Sequence, residues 1–235
     1  MIGIEAQGES AAVWKMETMT KSNDKATALR NDILAIKRER ILSEAVDLFY
    51  ENGYLSTNVD AIAQQLGATK PFVYYHFKSK IELLSDICSR LMLEALDVAE
   101  AAAGADAGPV EKLAQFAVGF TKLVLERHKH VSIYFREELN LPDDVKAAIS
   151  DMRRKIDYRL RGILKEGVQT GEFHFSNVAV ASQIVSGMVS YTFAWYDEAR
   201  PLSKEAIIRQ MLEQVLMSVG VDRARLDAVQ KPQIA

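Results

Sequence analysis

Between Gly67 and Lys80 the sequence reads GATKPFVYYHFKSK, with a proline, two tyrosines, a histidine, two phenylalanines and three lysines before the first carboxylate at Glu82. Such a density of cations, hydroxyls and aromatic rings suits nucleic acid. Lysine, tyrosine hydroxyl and imidazole can bind phosphate oxygens, while the same side chains can reach base edges in a duplex groove. On a helix, Val73 and Phe77 share an inward stripe at i, i+4, which leaves Lys70, Pro71, Tyr74 and Tyr75 on outward faces. Taken alone, the cluster is equally a packing surface dressed with solubilising lysines.

Other chemistry-bearing residues point to quieter roles. Cys88, the single cysteine, shares a stripe with Leu84, Ile87 and Leu91 and reads as a buried core thiol. His128 and His130 are two apart, so a helix turns them to nearly opposite sides and they share no metal. In FREELNLPDD, the carboxylates Glu137, Glu138, Asp143 and Asp144 invite an acid/base reading. Pro142 marks a helix start there, however, and Asp143 and Asp144 then complement the helix dipole on a solvated face. No nucleophile motif, phosphate loop or dinucleotide fingerprint occurs, so no catalytic residue, metal or cofactor is expected.

Helices must position the cluster. With 49% hydrophobic residues, only 12 Gly and 5 Pro in 235 residues, and long runs rich in Ala, Leu, Glu and Lys, the composition favours an all-α fold. A net charge of -3 confines any nucleic-acid site to a local patch. The apolar stretch NVAVASQIVSGMVSYTFAWY is broken by Asn177, Gln183 and serines, which argues against a membrane span. Lacking a secretory leader and having one cysteine, the chain is expected in a reducing cytoplasm.

Residues 1–34 are polar and aperiodic and read as a flexible tail, with Met16 and Met19 as alternative starts. Lys15, Lys21, Lys25 and Arg30 within it could form an arm touching a DNA groove. Residues 35–84 form the first domain: one amphipathic helix ending at Gly53, a second capped by Thr57 with Asp60 following and ending at Gly67, and a third capped by Thr69. Ser79 with Glu82 opens a longer helix that enters the second domain, 85–220, and 221–235 is a tail. Beyond a loop at Gly104 to Pro109, helices are expected at Val110–His128, Lys129–Leu139, Pro142–Thr170, Ser176–Glu198 and Ser203–Val219. Two short helices joined at Gly67 and Ala68, the second displaying Lys and Tyr, have the organisation of a helix-turn-helix.

From Arg40 to Leu84 the chain resembles the DNA-binding domain of the tetracycline-repressor (TetR) family. The ordered matches are Ile41, Leu42, Ala45, Leu48, Phe49, Gly53, Tyr54, Thr57, Val59, Ile62, Ala63, Gly67, Lys70, Tyr74, Phe77, Lys78 and Lys80. The sequence departs from the pattern at Ala61, where an acidic residue is usual, and at Pro71 and Phe72, where small or polar residues often face DNA. The resemblance implies base contacts from Lys70, Pro71, Phe72 and Tyr75, and phosphate contacts from Thr57, Thr69, Tyr74, His76 and Lys80. It also implies a homodimer on a roughly palindromic double-stranded operator and a helical C-terminal domain that binds an effector and dimerises. SYTFAWYDEARPLSKEAI, Ser190 to Ile207, is similar to a stretch in family members that sense acyl-CoA thioesters.

In that second domain Phe116, Phe120, Tyr134, Phe135, Met152, Tyr158, Met188, Tyr191 and Trp195 are the residues expected to line an apolar effector cavity. The alternative is a filled core. Arg153, Arg154, Arg159 and Arg161 are candidates for an anionic head group. The dimer surface is expected from Ala179, Ile184, Gly187, Val189, Ile207, Met211, Val215 and Leu216. The resulting reading is a non-catalytic regulator, with a constitutive DNA-binding or architectural protein and a helical enzyme as rivals.

Overall fold

Between Gly8 and Gly53 the chain contains neither glycine nor proline, and helix α1 runs through the interval, Ala6–Asn52. This corrects the expected tail over 1–34, because good helix formers with no breaker let α1 propagate far upstream of its amphipathic part. The computed structural model describes residues 6–197, 199 and 201–222, with side chains from Leu29 onward. Met1, the side chains of Met16, Met19, Lys15, Lys21 and Lys25, and the tail after Asp222 lie outside the described residues.

Among the described residues every regular element is helical. After α1 come α2 (Val59–Gln65), α3 (Lys70–His76), α4 (Lys80–Gly104), α5 (Pro109–Glu126), α6 (His128–Glu137), α7 (Asp143–Thr170), α8 (Val178–Ser190) and α9 (Lys204–Ser218). Short 3-10 turns follow α6 at Glu138–Asn140 and α8 at Tyr191–Ala194. The helix expected over Ser176–Glu198 therefore stops at Ser190, where the chain tightens and the Thr192 hydroxyl turns back to the Met188 carbonyl. None of the described helices is long and apolar enough to cross a membrane.

Contacts divide the chain into two compact units, one holding the residues up to Ala45 with Val59–Lys78, the other Val46–Asn58 with Ser79 onward. The division differs from the expected boundary after residue 84. Its reason is visible in the second unit, where Arg136 donates to the Phe49 carbonyl at 2.8 Å, and Lys129 pairs with Asp47. The end of α1 is thus bonded to later helices.

In the first unit Ile41, Leu42, Ala45, Val59, Ile62, Ala63, Val73 and Phe77 are buried. The turn between α2 and α3 is a Schellman closure. Gly67 takes φ +63°, its amide donates to the Gln64 carbonyl, and the Ala68 amide reaches back to the Ala63 carbonyl at 2.9 Å. In the second unit, α4 packs on α5 and α7, and α5 also packs on α8 and α9. Their shared core runs from Ala95 and Ala99 through Leu113, Phe116, Leu160 and Leu164 to Val185, Leu212 and Val215. Ser79, Asn177 and Ser203 cap α4, α8 and α9, each side-chain oxygen accepting an amide of the first turn.

Candidate functional site

Helix α3 is held by its inward face and by one distant cation. Val73 and Phe77 are each 1% exposed. The Arg38 guanidinium lies over the Phe77 ring, 3.9 Å from its centroid, and donates to the His76 carbonyl at the end of α3. Sequence reasoning missed Arg38, because nothing local to α3 announces a partner so far back along α1.

Thr69, Lys70, Pro71, Tyr74 and Tyr75 stand exposed on this anchored helix, with Tyr75 69% accessible. Thr69 occupies the N-cap position, but its hydroxyl makes no capping bond. Lys70 pairs with Asp60 of α2 at 2.7 Å, and that hydrogen bond raises its pKa. Asp60 therefore serves Lys70 in place of the expected cap with Thr57. Phe72 is half-buried, its ring edge-on to His76 and 5.9 Å from the Lys37 ammonium.

Three residues expected at phosphates are turned inward in this structure. His76 is buried between Phe72 and Tyr75, and burial, then Lys37 and Arg38, lowers its pKa, so at neutral pH it brings no charge. Thr57 and Lys80 belong to the second unit, and both face inward. The Thr57 hydroxyl, in a residue 3% exposed, shares its one proton between the carbonyls of Gly53 at 2.9 Å and Leu48 at 3.1 Å. Lys80 gives its ammonium to the carbonyls of Tyr54 at 2.7 Å, Thr57 at 2.8 Å and Leu55 at 3.3 Å. These are the carbonyls that the turn after α1 leaves open.

The second unit contains a cavity of about 270 Å³ with walls from α4, α5, α6, α7 and α8. Of the nine residues expected to line it, Phe116, Phe120, Tyr134 and Phe135 do, the first two stacked at 4.4 Å. Tyr158, Tyr191 and Trp195 are instead 72%, 64% and 42% exposed. Met152 and Met188 are only partly buried and do not reach the cavity; Met188 packs on the core. A helix displays aromatic side chains on several faces, and only packing decides which face meets a void. The residues missed include Leu91, Met92 and Ala95 of α4, Leu123 and Val124 of α5, Val131 of α6, Ile156 and Asp157 of α7, and Gln183, Ser186, Val189 and Ser190 of α8.

Arginines of α7 are mostly spoken for by carboxylates. Arg154, Arg159 and Arg161 pair with Asp151, Glu100 and Asp157, while Arg153, the one of the four in the lining, pairs with Glu138 at 3.5 Å. Tyr134 is 5% exposed, its hydroxyl buried beside the Glu138 carboxylate. Burial raises its pKa, and the neighbouring Glu138 acts in the same direction, so the phenol stays protonated. Burial likewise pushes the Cys88 thiol up to about 12.

Residues 41–87 match the family described as bacterial regulatory proteins, tetR family, and residues 106–219 match the tetracyclin repressor-like C-terminal domain. The chain is 27% identical to the HTH-type transcriptional repressor KstR2 of Mycolicibacterium smegmatis, over 77% of this chain and 90% of the relative. It is 30% identical to a solved TetR/AcrR-family regulator of Thermobifida fusca, covering 79% of this chain and 98% of that one, with a TM-score of 0.63. AibR, solved in complex with isovaleryl coenzyme A and operator DNA, is 25% identical over 77% of this chain and 98% of its own, with a TM-score of 0.68.

Proposed function

This chain belongs to the TetR family of bacterial transcriptional regulators, and from that premise we propose that it is an effector-released repressor acting as a cytoplasmic homodimer. One observation carries the DNA half of the reading. Tyr74, Tyr75, Thr69 and Lys70 stand exposed on a helix whose other side is anchored by Val73, Phe77 and Arg38. A rigid helix with a hydroxyl-rich outer face is suited to a major groove, with Pro71 and Tyr75 toward bases and Thr69 and Tyr74 toward phosphates. Phe72, being half-buried, offers an edge to a thymine methyl. A dimer would set two such helices in successive major grooves, about 34 to 36 Å apart on a roughly palindromic site.

For the effector we propose a mostly apolar molecule, with an acyl-CoA thioester leading. The cavity supports a ligand-responsive regulator over a constitutive or architectural one, whose core would be filled, and the ligand held by AibR supports the thioester class. α4 begins four residues after α3 ends and carries Leu91, Met92 and Ala95 into the cavity wall. A ligand there bears on the helix into which the reading helix leads. It shifts the equilibrium only by its differential affinity for the two states, about 5.5 kcal/mol for reversing a hundredfold bias.

Selection of duplexes from a random pool by the purified protein should yield an inverted repeat. On that site Tyr75→Ala should weaken binding by about 1 to 3 kcal/mol. An acyl-CoA panel, titrated against the preformed complex, should contain a member that releases the DNA. Wild-type affinity in Tyr75→Ala would refute the α3 assignment, and a panel without effect on release or melting would remove the thioester.

A further inference from the structure

Tyr75 borders more than the outer face of α3. Beside it lies an open groove of about 540 Å³, lined by Phe72 and Tyr75 from α3 and by Arg30, Ile33 and Lys37 from the upstream part of α1, all within the first unit. Positions 30, 33 and 37 recur at i, i+3 and i+7, so one stripe of α1 supplies this wall. Arg30 is the member of the expected arm whose side chain is described, and it stands on a helix rather than on a tail. That helix is fixed to α3, since Ile41, Leu42 and Ala45 are buried in the same unit and Arg38, next to Lys37, sits over Phe77. Two exposed cations are thus ordered beside the reading helix before any ligand arrives.

The charge in the groove is of one sign. Asp32 and Glu39 lie two residues from Arg30 and Lys37, about 200° round the helix, and neither lines the groove. Neither Arg30 nor Lys37 is ion-paired among the described residues. The field reaches His76 in the lining, where Lys37 and Arg38 add to burial in lowering the pKa.

Two cations and a phenol hydroxyl suit phosphate oxygens, and the exposed Leu29 and Ile33 beside them offer an apolar rest for sugars. A helix seated in a major groove about 12 Å wide has a phosphate strand on either side. The occupant that comes with the ligand of α3 is therefore one of those strands.

Resting on the DNA half of the function proposed above, we infer that this groove is a second operator contact, in which Arg30 and Lys37 of α1 hold phosphates of a strand bordering the major groove that α3 enters. The test uses the full-length protein on its selected operator and on a random duplex, with Arg30→Gln, Lys37→Gln and the double variant, glutamine preserving helix propensity. Each phosphate contact contributes about 0.9 to the slope of log affinity against log salt, so the double variant should have a slope shallower by about 1.8 per bound protomer. Raising the salt from about 50 to about 200 mM should then cost the wild type about twelvefold more affinity per bound protomer than the double variant. Operator and random duplex should weaken by the same factor, because phosphates carry no sequence, while the melting temperature stays at its wild-type value.

A wild-type salt slope in the double variant, with Tyr75→Ala still weakened on the operator, overturns the inference and leaves the DNA reading standing. Loss on the operator alone at unchanged slope also overturns it, since that pattern belongs to a distorted α3. A changed sedimentation state at wild-type slope overturns it in favour of a protein occupant. If the wild type selects no duplex, the DNA reading itself falls and takes this inference with it.

Discussion

Lys80 shows how far a single side chain can depart from the role its residue type suggests. Three backbone carbonyls surround its ammonium, and the Tyr54 ring lies 4.3 Å away. A lysine has three N–H donors, so this cage consumes the cation that a phosphate would need. Lys80→Ala should therefore cost about 1 to 3 kcal/mol of stability, seen as a lower urea midpoint, because open carbonyls are left behind. The folded variant should keep the salt dependence of operator binding; an unchanged midpoint with a flatter salt slope would restore the phosphate role. Lys70 is the opposite case, since its exposed pair with Asp60 can exchange for a phosphate at small cost.

At the scale of the element, α6 carries a pH-dependent stability term. Burial pulls the His130 imidazole down to about 4, with Arg127 and His128 adding repulsion that Asp47 only partly offsets. Between the ordinary value of 6.5 and about 4, the unfolded chain binds a proton that the folded protein refuses. Stability is therefore fully present above pH 6.5 and is lost as the pH falls toward 4. His130→Gln should remove this component, narrowing the wild-type loss between pH 7 and 4.5 by on the order of 2 kcal/mol in denaturant titrations. Parallel pH profiles for the two proteins would contradict it. The α2–α3 turn depends instead on backbone conformation. Gly67→Ala meets no neighbouring atom but forces a Cβ into left-handed φ, and should cost about 1 kcal/mol.

Across the whole molecule, specificity for an inverted repeat requires two copies of α3. Along α8 and the turn that follows it, Val180, Ile184 and Tyr191 are exposed, and Gly187 between them has open space where a side chain would stand. On α9, Met217 is also exposed. Four residues expected on a dimer surface, Val189, Ile207, Val215 and Leu216, are buried in the protomer and cannot contribute. Ile184→Arg should yield a monomer in sedimentation at micromolar concentration, with operator affinity falling toward that of a half-site. A variant that remains dimeric would move the interface elsewhere.

What the sequence by itself determined is local. Gly53, Gly67 and Gly171 stop helices because each takes a left-handed φ, and Ser79 and Ser203 start them by capping amides within three residues. The inward pair Val73 and Phe77 also follows from spacing along one helix, as does the exposed pair Tyr74 and Tyr75. Only the tertiary structure decided what lies against each face. It turned Thr57 and Lys80 onto carbonyls of their own chain, buried His76, and brought Arg38 to the end of α3. It also chose four of nine aromatic and methionine candidates for the cavity and added a polar wall from α8. Periodicity orients a side chain about its own helix axis, whereas a cavity or a hydrogen-bond partner depends on how distant helices pack, which no local spacing encodes.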